Sequence, residues 1–331
     1  MFKTVDEAIH FIESQRAKRS FEDFQKIIER YQIPIDLKNV IHVAGTNGKG
    51  STVTFIKDLL MKQGYHVGTF TSPYIIKHHE RISVDGKPIS DDDLLRFINQ
   101  LLPLIQQEHL SMFEIDTLIM LYYFNELDLD YHIIECGIGG LHDKTNVIKS
   151  NVAVITNIGY DHQFMLGDTL LEIAHHKVGI VKENVPLFTT EQNKEILSYF
   201  KDYCTKHQST FYPLQVEKQY QYPYHLHFHQ KEYVLHLPTY QVSNLTLALN
   251  VVDYLCDLND EDIQAVIDDF KWPCRFEQFG HLYLDGAHNI SGIEALIQTI
   301  KERKLEDVGI VFSALMDKDC QKMLDMLKEF D

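Results

Sequence analysis

Short apolar runs alternate along the chain with longer stretches of helical period, and that rhythm predicts its elements. An apolar run over 40–43 reads as a buried strand, a glycine-rich turn follows, and 51–61 reads as a helix. The cycle recurs. A strand over 65–70 precedes a helix capped at Ser90 and running to about 108, then an apolar helix over 113–127 and a strand over 131–135. Another strand (151–156) and helix (170–181) follow. Ahead of them, Thr4-Val5-Asp6-Glu7 has the form of a capping box opening a helix to about Arg16, and a second helix spans 21–31. Strands alternating with helices predict an α/β fold with a doubly wound, mostly parallel sheet. Over 210–237 the texture changes to tyrosine- and histidine-rich alternation, which predicts an antiparallel strand group at the domain's edge. Helices over 242–255 and 261–270 lead to Trp272-Pro273, where a break in composition predicts a domain boundary: 1–273 and 274–331. The remainder reads strand (281–284), helix (293–303), strand (308–312), helix (319–330). Two βα units make a small, incomplete Rossmann-like domain, because an open parallel sheet wants helices on both faces.

At 331 residues the chain exceeds what one core usually supports, which agrees with two domains. Its formal net charge of −17 argues against nucleic acid or an anionic membrane surface as partner. It does not argue against anionic small molecules, which feel local lysines. Cys136, Cys204, Cys256, Cys274 and Cys320 lack C-x-x-C spacing, a pattern that suits a reducing cytosol. The first residues lack a signal-peptide core and no apolar run would span a bilayer, so a cytoplasmic protein is expected. No apolar stripe is left unclaimed, and a monomer is expected.

The chemistry concentrates where strands end. Gly45, Thr46, Asn47, Gly48, Lys49, Gly50, Ser51 and Thr52 form a strand–glycine loop–lysine–helix sequence, the plan of a phosphate-binding loop. Lys49 would sit on the β/γ-phosphates and the following hydroxyl would hold Mg²⁺. The loop is a variant: Val43 stands where the first glycine usually lies, and Gly50 displaces the hydroxyl to Ser51. A glycine turn with an exposed lysine is the bland alternative. Glu135, followed by glycines at 137, 139 and 140, is either a metal carboxylate or a strand-end acid in an ion pair. His162, just past the next strand, is a candidate imidazole ligand among 18 histidines. Lys177 sits among apolar residues, where snorkelling is the ordinary explanation. Arg275, at the boundary, would reach phosphates as a planar cation. In Asp285-Gly286-Ala287-His288-Asn289, Asp285 would take ribose hydroxyls and His288 would face phosphates or substrate, although an Asx turn fits equally.

Together, Gly45 to Ser51, Thr71-Ser72-Pro73, Glu80-Arg81-Ile82, Glu135 to Gly140, Asp161-His162, His176 to Ile180, Trp272 to Arg275 and Asp285 to Asn289 resemble, in order, the folylpolyglutamate synthase/dihydrofolate synthase branch of the Mur ligase superfamily. The resemblance implies an ATP-dependent ligase adding L-glutamate to folates or to dihydropteroate through an acyl phosphate. It implies Mg²⁺ on Ser51, Glu135 and His162, and a carbamylated Lys177 holding a second Mg²⁺. Arg275, Asp285 and Asn244 then correspond to ATP contacts, and His288 to the γ-phosphate or glutamate region; Lys49, Lys177 and His288 are the expected catalytic groups. Residues 71–82 correspond to a loop over the pterin. Departures are Ile290, where proline is usual, and His142 and Lys144 around Asp143. The chain also stops where family members carry further βα units, which implies a truncated second domain and impaired turnover. A Mur-type ligase for a UDP-linked precursor and a non-ligase nucleotide switch are the rival readings.

Overall fold

The computed structural model describes residues 1–216, 221–315 and 318–330. Two helices, α1 (Val5–Ser14) and α2 (Phe21–Arg30), lead to β1 (Val40–Ala44), and the glycine turn opens α3 (Lys49–Lys62). Next come β2 (Val67–Phe70), β3 (Ile82–Val84), β4 (Lys87–Pro88), α4 (Asp91–Glu108), α5 (Met112–Glu126) and β5 (Tyr131–Glu135). The winding continues through β6 (Val152–Ile155), α6 (Gln163–Leu166), α7 (Leu170–Val178), β7 (Leu187–Thr189), α8 (Lys194–Lys206) and β8 (Phe211–Pro213).

These strands form one sheet in the order β4-β3-β2-β5-β1-β6-β7-β8. From β2 to β8 every pairing is parallel; β3 and β4 add an antiparallel edge. The doubly wound α/β architecture is as the sequence predicts. Every residue of β1 is buried, because helices cover both faces of the sheet. Its side chains alternate between them: Ile41 and Val43 join a core with Phe55, Leu59, Leu245 and Leu249, whereas Val40 joins one with Phe97, Ile119 and Ile134. The carboxyl ends of β1, β5 and β6 therefore open side by side on one edge, where an α/β sheet gathers ligand groups.

The rest of the chain differs in detail from expectation. In the stretch 210–237, β8 runs parallel to β7 within the main sheet, and only β9 (Tyr224–Phe228) and β10 (Lys231–Leu235) pair antiparallel; residues 217–220 of that stretch lie outside the described residues. Helix α9 (Thr239–Leu255) starts earlier than the apolar period suggested and packs along α3, and α10 (Asp260–Asp269) closes the same core, stacking Phe270 on Phe55 at 3.8 Å. Beyond Trp272, β11 (Arg275–Phe279) and β12 (Leu282–Asp285) form an antiparallel hairpin. The strand expected at 281–284 exists, but the short turn at Gly280 returns it against the preceding segment rather than into a parallel sheet. The expected strand over 308–312 makes no ladder; Val311 is fully exposed, with no strand beside it among the described residues. Helices α11 (Ile290–Glu302) and α12 (Cys320–Leu327) bury Ile293, Ile297, Met323 and Leu327 as a small separate core. Among the described residues, no helix is long and apolar enough to cross a membrane.

Candidate active site

The loop from β1 to α3 is pinned to the tip of β6. Thr46 N–H donates to the Asn157 carbonyl (2.9 Å), Asn47 N–H to Asn157 Oδ1 (3.1 Å), and Thr156 Oγ1 to the Asn47 carbonyl (2.6 Å). Gly48 caps α3 at φ +85°, and a Cβ there would lie 2.3 Å from Asn244 Oδ1. A side chain is thus excluded on both conformational and steric grounds. With no acidic residue in its first turn, α3 presents its N-terminal N–H groups and positive dipole end to the cavity beside the loop. Behind the loop a relay runs from Asn244 Nδ2 to Gln241 Oε1 (2.8 Å) and from Gln241 Nε2 to Ser51 Oγ (3.2 Å).

The cavity holds about 450 Å³. Lys49 and Glu135 face each other across it, Nζ to Oε1 at 3.9 Å. Burial pushes the Glu135 carboxyl up to about 7, against the pull of Lys49. Burial, helped by the charge of Lys49, brings the Lys177 amine down to about 7, and Nζ donates to the Gly45 carbonyl at 2.7 Å. His162 lies at φ +49°, and burial lowers its pKa, so it is neutral and able to ligate. Next to it, Asp161 is held at about 2: burial would raise it, but the Lys318 ammonium and the Asn289 amide prevail.

The segment after Trp272 closes the cavity from the other side. Asp285 accepts from Tyr240 Oη (2.8 Å) and from the N–H groups of Phe276 and Ala287, and burial raises its pKa. Arg275 lines the cavity with its Nη1 bonded to the Cys274 carbonyl, and His288 Nε2 stands 3.8 Å from Asp161. Asn289 Nδ2 reaches both Asn47 Oδ1 (3.0 Å) and Asp161 Oδ2 (3.1 Å), tying α11 to the phosphate loop.

Gly45, Thr46, Asn47, Gly48, Lys49, Gly50, Ser51, Glu135, His162, Lys177, Asn244, Arg275, Asp285 and His288 all line this one cavity. Thr52 does not; it is buried within α3, its N–H bonded to the Gly48 carbonyl. Sequence reasoning gave no role to Gln241, Asn157, Tyr240 or Asn289. For Gln241 a signal existed, since two amides at i and i+3 share a helix face with Asn244. Among the described residues no three His, Cys, Asp or Glu side chains cluster as a ready metal site. The candidate donors are mixed, a hydroxyl (Ser51), a carboxylate (Glu135) and a neutral imidazole (His162). The oxygens fit a hard divalent cation.

The Mur ligase middle domain model matches residues 43–252. The dihydrofolate synthase/folylpolyglutamate synthase of Bacillus subtilis (strain 168) is 37% identical over 332 residues, covering 92% of this chain and 77% of that protein. The chain belongs to the folylpolyglutamate synthase/dihydrofolate synthase family. Members of this branch of the Mur ligases are ATP-dependent enzymes that form amide bonds. Two solved structures of the family extend the likeness through the C-terminal segment. A folylpolyglutamate synthase with AMPPCP and folate superimposes with a TM-score of 0.87 at 28% identity, covering 98% of this chain and 87% of that one. A bifunctional folylpolyglutamate synthase/dihydrofolate synthase with Mn, AMPPNP and L-glutamate gives 0.84 at 27% identity, covering 99% and 82%.

Proposed function

We propose that this cavity joins L-glutamate to the carboxylate of a folate, or of dihydropteroate, as ATP is converted to ADP and phosphate. The substrate carboxylate attacks the γ-phosphoryl group, ADP leaves, and an acyl phosphate forms. The glutamate amine then attacks the acyl carbon, loses a proton, and phosphate departs. No protein nucleophile is needed; the protein's task is to gather anions and neutralise the charge spreading over the transferring group. The loop N–H groups and Lys49 hold the phosphates, Arg275 meets them from the opposite wall, and Asn244 and Asp285 contact the nucleotide. His288 faces the γ-phosphate or the incoming glutamate. Ser51, Glu135 and His162 would hold a divalent cation, which when bound screens the phosphate oxygens. The observation that carries this reading is that groups 240 residues apart in sequence, from Gly45 to Asp285, line one cavity with the loop pinned at its base.

We also assign Lys177 as a carbamate. Burial leaves a large share of its amine uncharged at neutral pH, the form that adds CO₂ with loss of a proton. The carboxylate so formed would offer oxygens to a second cation. We place the division near residue 273, with 1–273 as the ATP-binding unit and 274–331 as the ligase unit; the separate small core of α11 and α12 supports it. A monomer in a reducing cytoplasm is the reading we adopt, in keeping with cysteines that are all free.

Phosphate release measured with ATP, L-glutamate and either tetrahydrofolate or dihydropteroate tests the function, and release should require glutamate. Release indifferent to glutamate would instead identify a nucleotide switch. Labelled bicarbonate should give a carbamate signal that Lys177→Met removes.

A further inference from the structure

Between β2 and β3 the segment 71–81 runs out from the cavity and back. Its start belongs to the site: Ser72 and Pro73 line the cavity, and Ser72 N–H donates to Glu135 Oε2 at 3.3 Å. Its far end is gripped by a buried charge cluster that the reaction does not use. His78, with a side chain only 4% exposed, directs Nδ1 at Glu13 Oε1 of α1 (3.2 Å) and Nε2 at Asp116 Oδ1 of α5 (2.9 Å). A neutral imidazole has one N–H and one lone pair, so one nitrogen would then face a carboxylate oxygen without a proton between them. Only the imidazolium donates to both. Arg81 completes the cluster, with Nε 3.5 Å from Asp116 Oδ2 and Nη1 donating to Ser72 Oγ at 3.2 Å. Tyr74 donates to Glu13 Oε1 at 2.6 Å and lies under the Arg81 guanidinium. The charged and titratable groups facing His78 are therefore Glu13 from α1, Asp116 from α5, and Arg81 and Tyr74 from its own segment. Two cations balance two carboxylates, and a deprotonated His78 would leave a carboxylate uncompensated in the interior.

We propose that His78 is a positioning residue: pinched between Glu13 and Asp116, it latches the segment 71–81 so that Ser72 stays on Glu135, and loss of its proton releases the latch. The consequence for catalysis rests on the reading that Glu135 holds a divalent cation. Burial opposes the imidazolium, but the two carboxylates outweigh it and raise its pKa. The latch is thus complete below that raised value and is lost as pH rises through it.

Hydrogen exchange of the peptide covering 71–81, corrected for the intrinsic rate and read without nucleotide or metal, tests the latch. Protection in the unmodified enzyme should fall by about tenfold or more from mildly acidic to mildly alkaline pH, the factor set by a hydrogen bond to a charged group. His78→Gln, uncharged and with both N–H groups on a single nitrogen, cannot span the two carboxylates as Nδ1 and Nε2 do, and should be unprotected throughout with no pH trend. Asp116→Asn, lacking one carboxylate, should lose protection at lower pH. In turnover, the Mg²⁺ concentration for half-maximal rate should climb with pH in the unmodified enzyme and be high at every pH in His78→Gln. Protection that is flat with pH in the unmodified enzyme overturns the latch, as does an unchanged profile in either variant. Since exchange involves neither metal nor nucleotide, it speaks to the latch alone, whereas Mg²⁺–ATP binding to Glu135→Gln speaks to the site.

Discussion

Replacing Gly48 by alanine probes the phosphate loop with an internal control, because Gly64 has nearly the same backbone. Gly48 lies at φ +85° and Gly64 at φ +86°, but a Cβ at Gly64 meets nothing within 4 Å, whereas one at Gly48 meets Asn244 Oδ1 at 2.3 Å. Both substitutions carry the left-handed penalty of about 1–2 kcal/mol, offset by the roughly 0.5–1 kcal/mol that alanine gains by restricting the unfolded chain. Gly48→Ala alone must also turn the Asn244 amide away from Gln241, breaking a 2.8 Å hydrogen bond whose loss costs about 0.5–1.5 kcal/mol. It should therefore be about 1 kcal/mol less stable than Gly64→Ala in denaturant titrations. The functional gap is wider. A displaced Asn244 frees Gln241 and hence Ser51 Oγ, and moves an amide into the phosphate position. ATP affinity should fall at least about tenfold in Gly48→Ala, a factor equal to 1.4 kcal/mol, and remain as in the unmodified enzyme in Gly64→Ala. Adding Asn244→Ala to Gly48→Ala should recover part of the stability loss, because the two residues collide. Equal stability and equal nucleotide affinity in the two alanine variants would refute the account of the loop.

Lys177→Met should abolish turnover yet stabilise the fold. With CO₂ removed, so that the buried amine carries no carbamate, it titrates at about 7 instead of 10.5, and the folded protein binds fewer protons than the unfolded chain from about 7 up to 10.5. The cost is absent above that pH, grows as pH falls to about 7 and is constant below, amounting to roughly 4–5 kcal/mol at 1.4 kcal/mol per unit; denaturation midpoints across pH check it. Lys49→Ala should weaken ATP binding about tenfold or more in calorimetric titrations, through loss of the ammonium that stands 3.9 Å from Glu135 in the phosphate loop. Tyr240→Phe removes the 2.8 Å hydrogen bond to Asp285 and should weaken ATP binding by about fivefold, near 1 kcal/mol, with turnover at saturating ATP little changed.

What the sequence discloses about this site is what strand topology alone places. Lys49, Glu135 and His162 follow strands that pair or neighbour one another in a parallel sheet, and parallel strands must end on one edge, so each could be located by finding its strand. Gln241 obeys no such rule. It reaches Ser51 because α9 lies along α3, a packing relation set by Leu245 and Leu249 against Phe55 and Leu59 rather than by anything local to residue 241. The start of α9 at Thr239 is hidden for a related reason, since its first turn is Thr239-Tyr240-Gln241, with Tyr240 lining the cavity and Gln241 bonded to Ser51, instead of the apolar period that marks a helix. The hairpin of β11 and β12 fails from the opposite side: β12 is legible as a strand while β11 is not among the expected elements, and whether a strand runs parallel to its neighbour depends on the turn between them, which Gly280 at φ +61° makes a tight return. His78 is the extreme case. Its partners come from residues 13 and 116, on helices with no sequence relation to the segment they hold, and a histidine among 18 gives no sign of a double carboxylate grip. Chemistry placed by backbone topology can be read in one dimension; chemistry placed by side chains crossing between helices requires the packed structure.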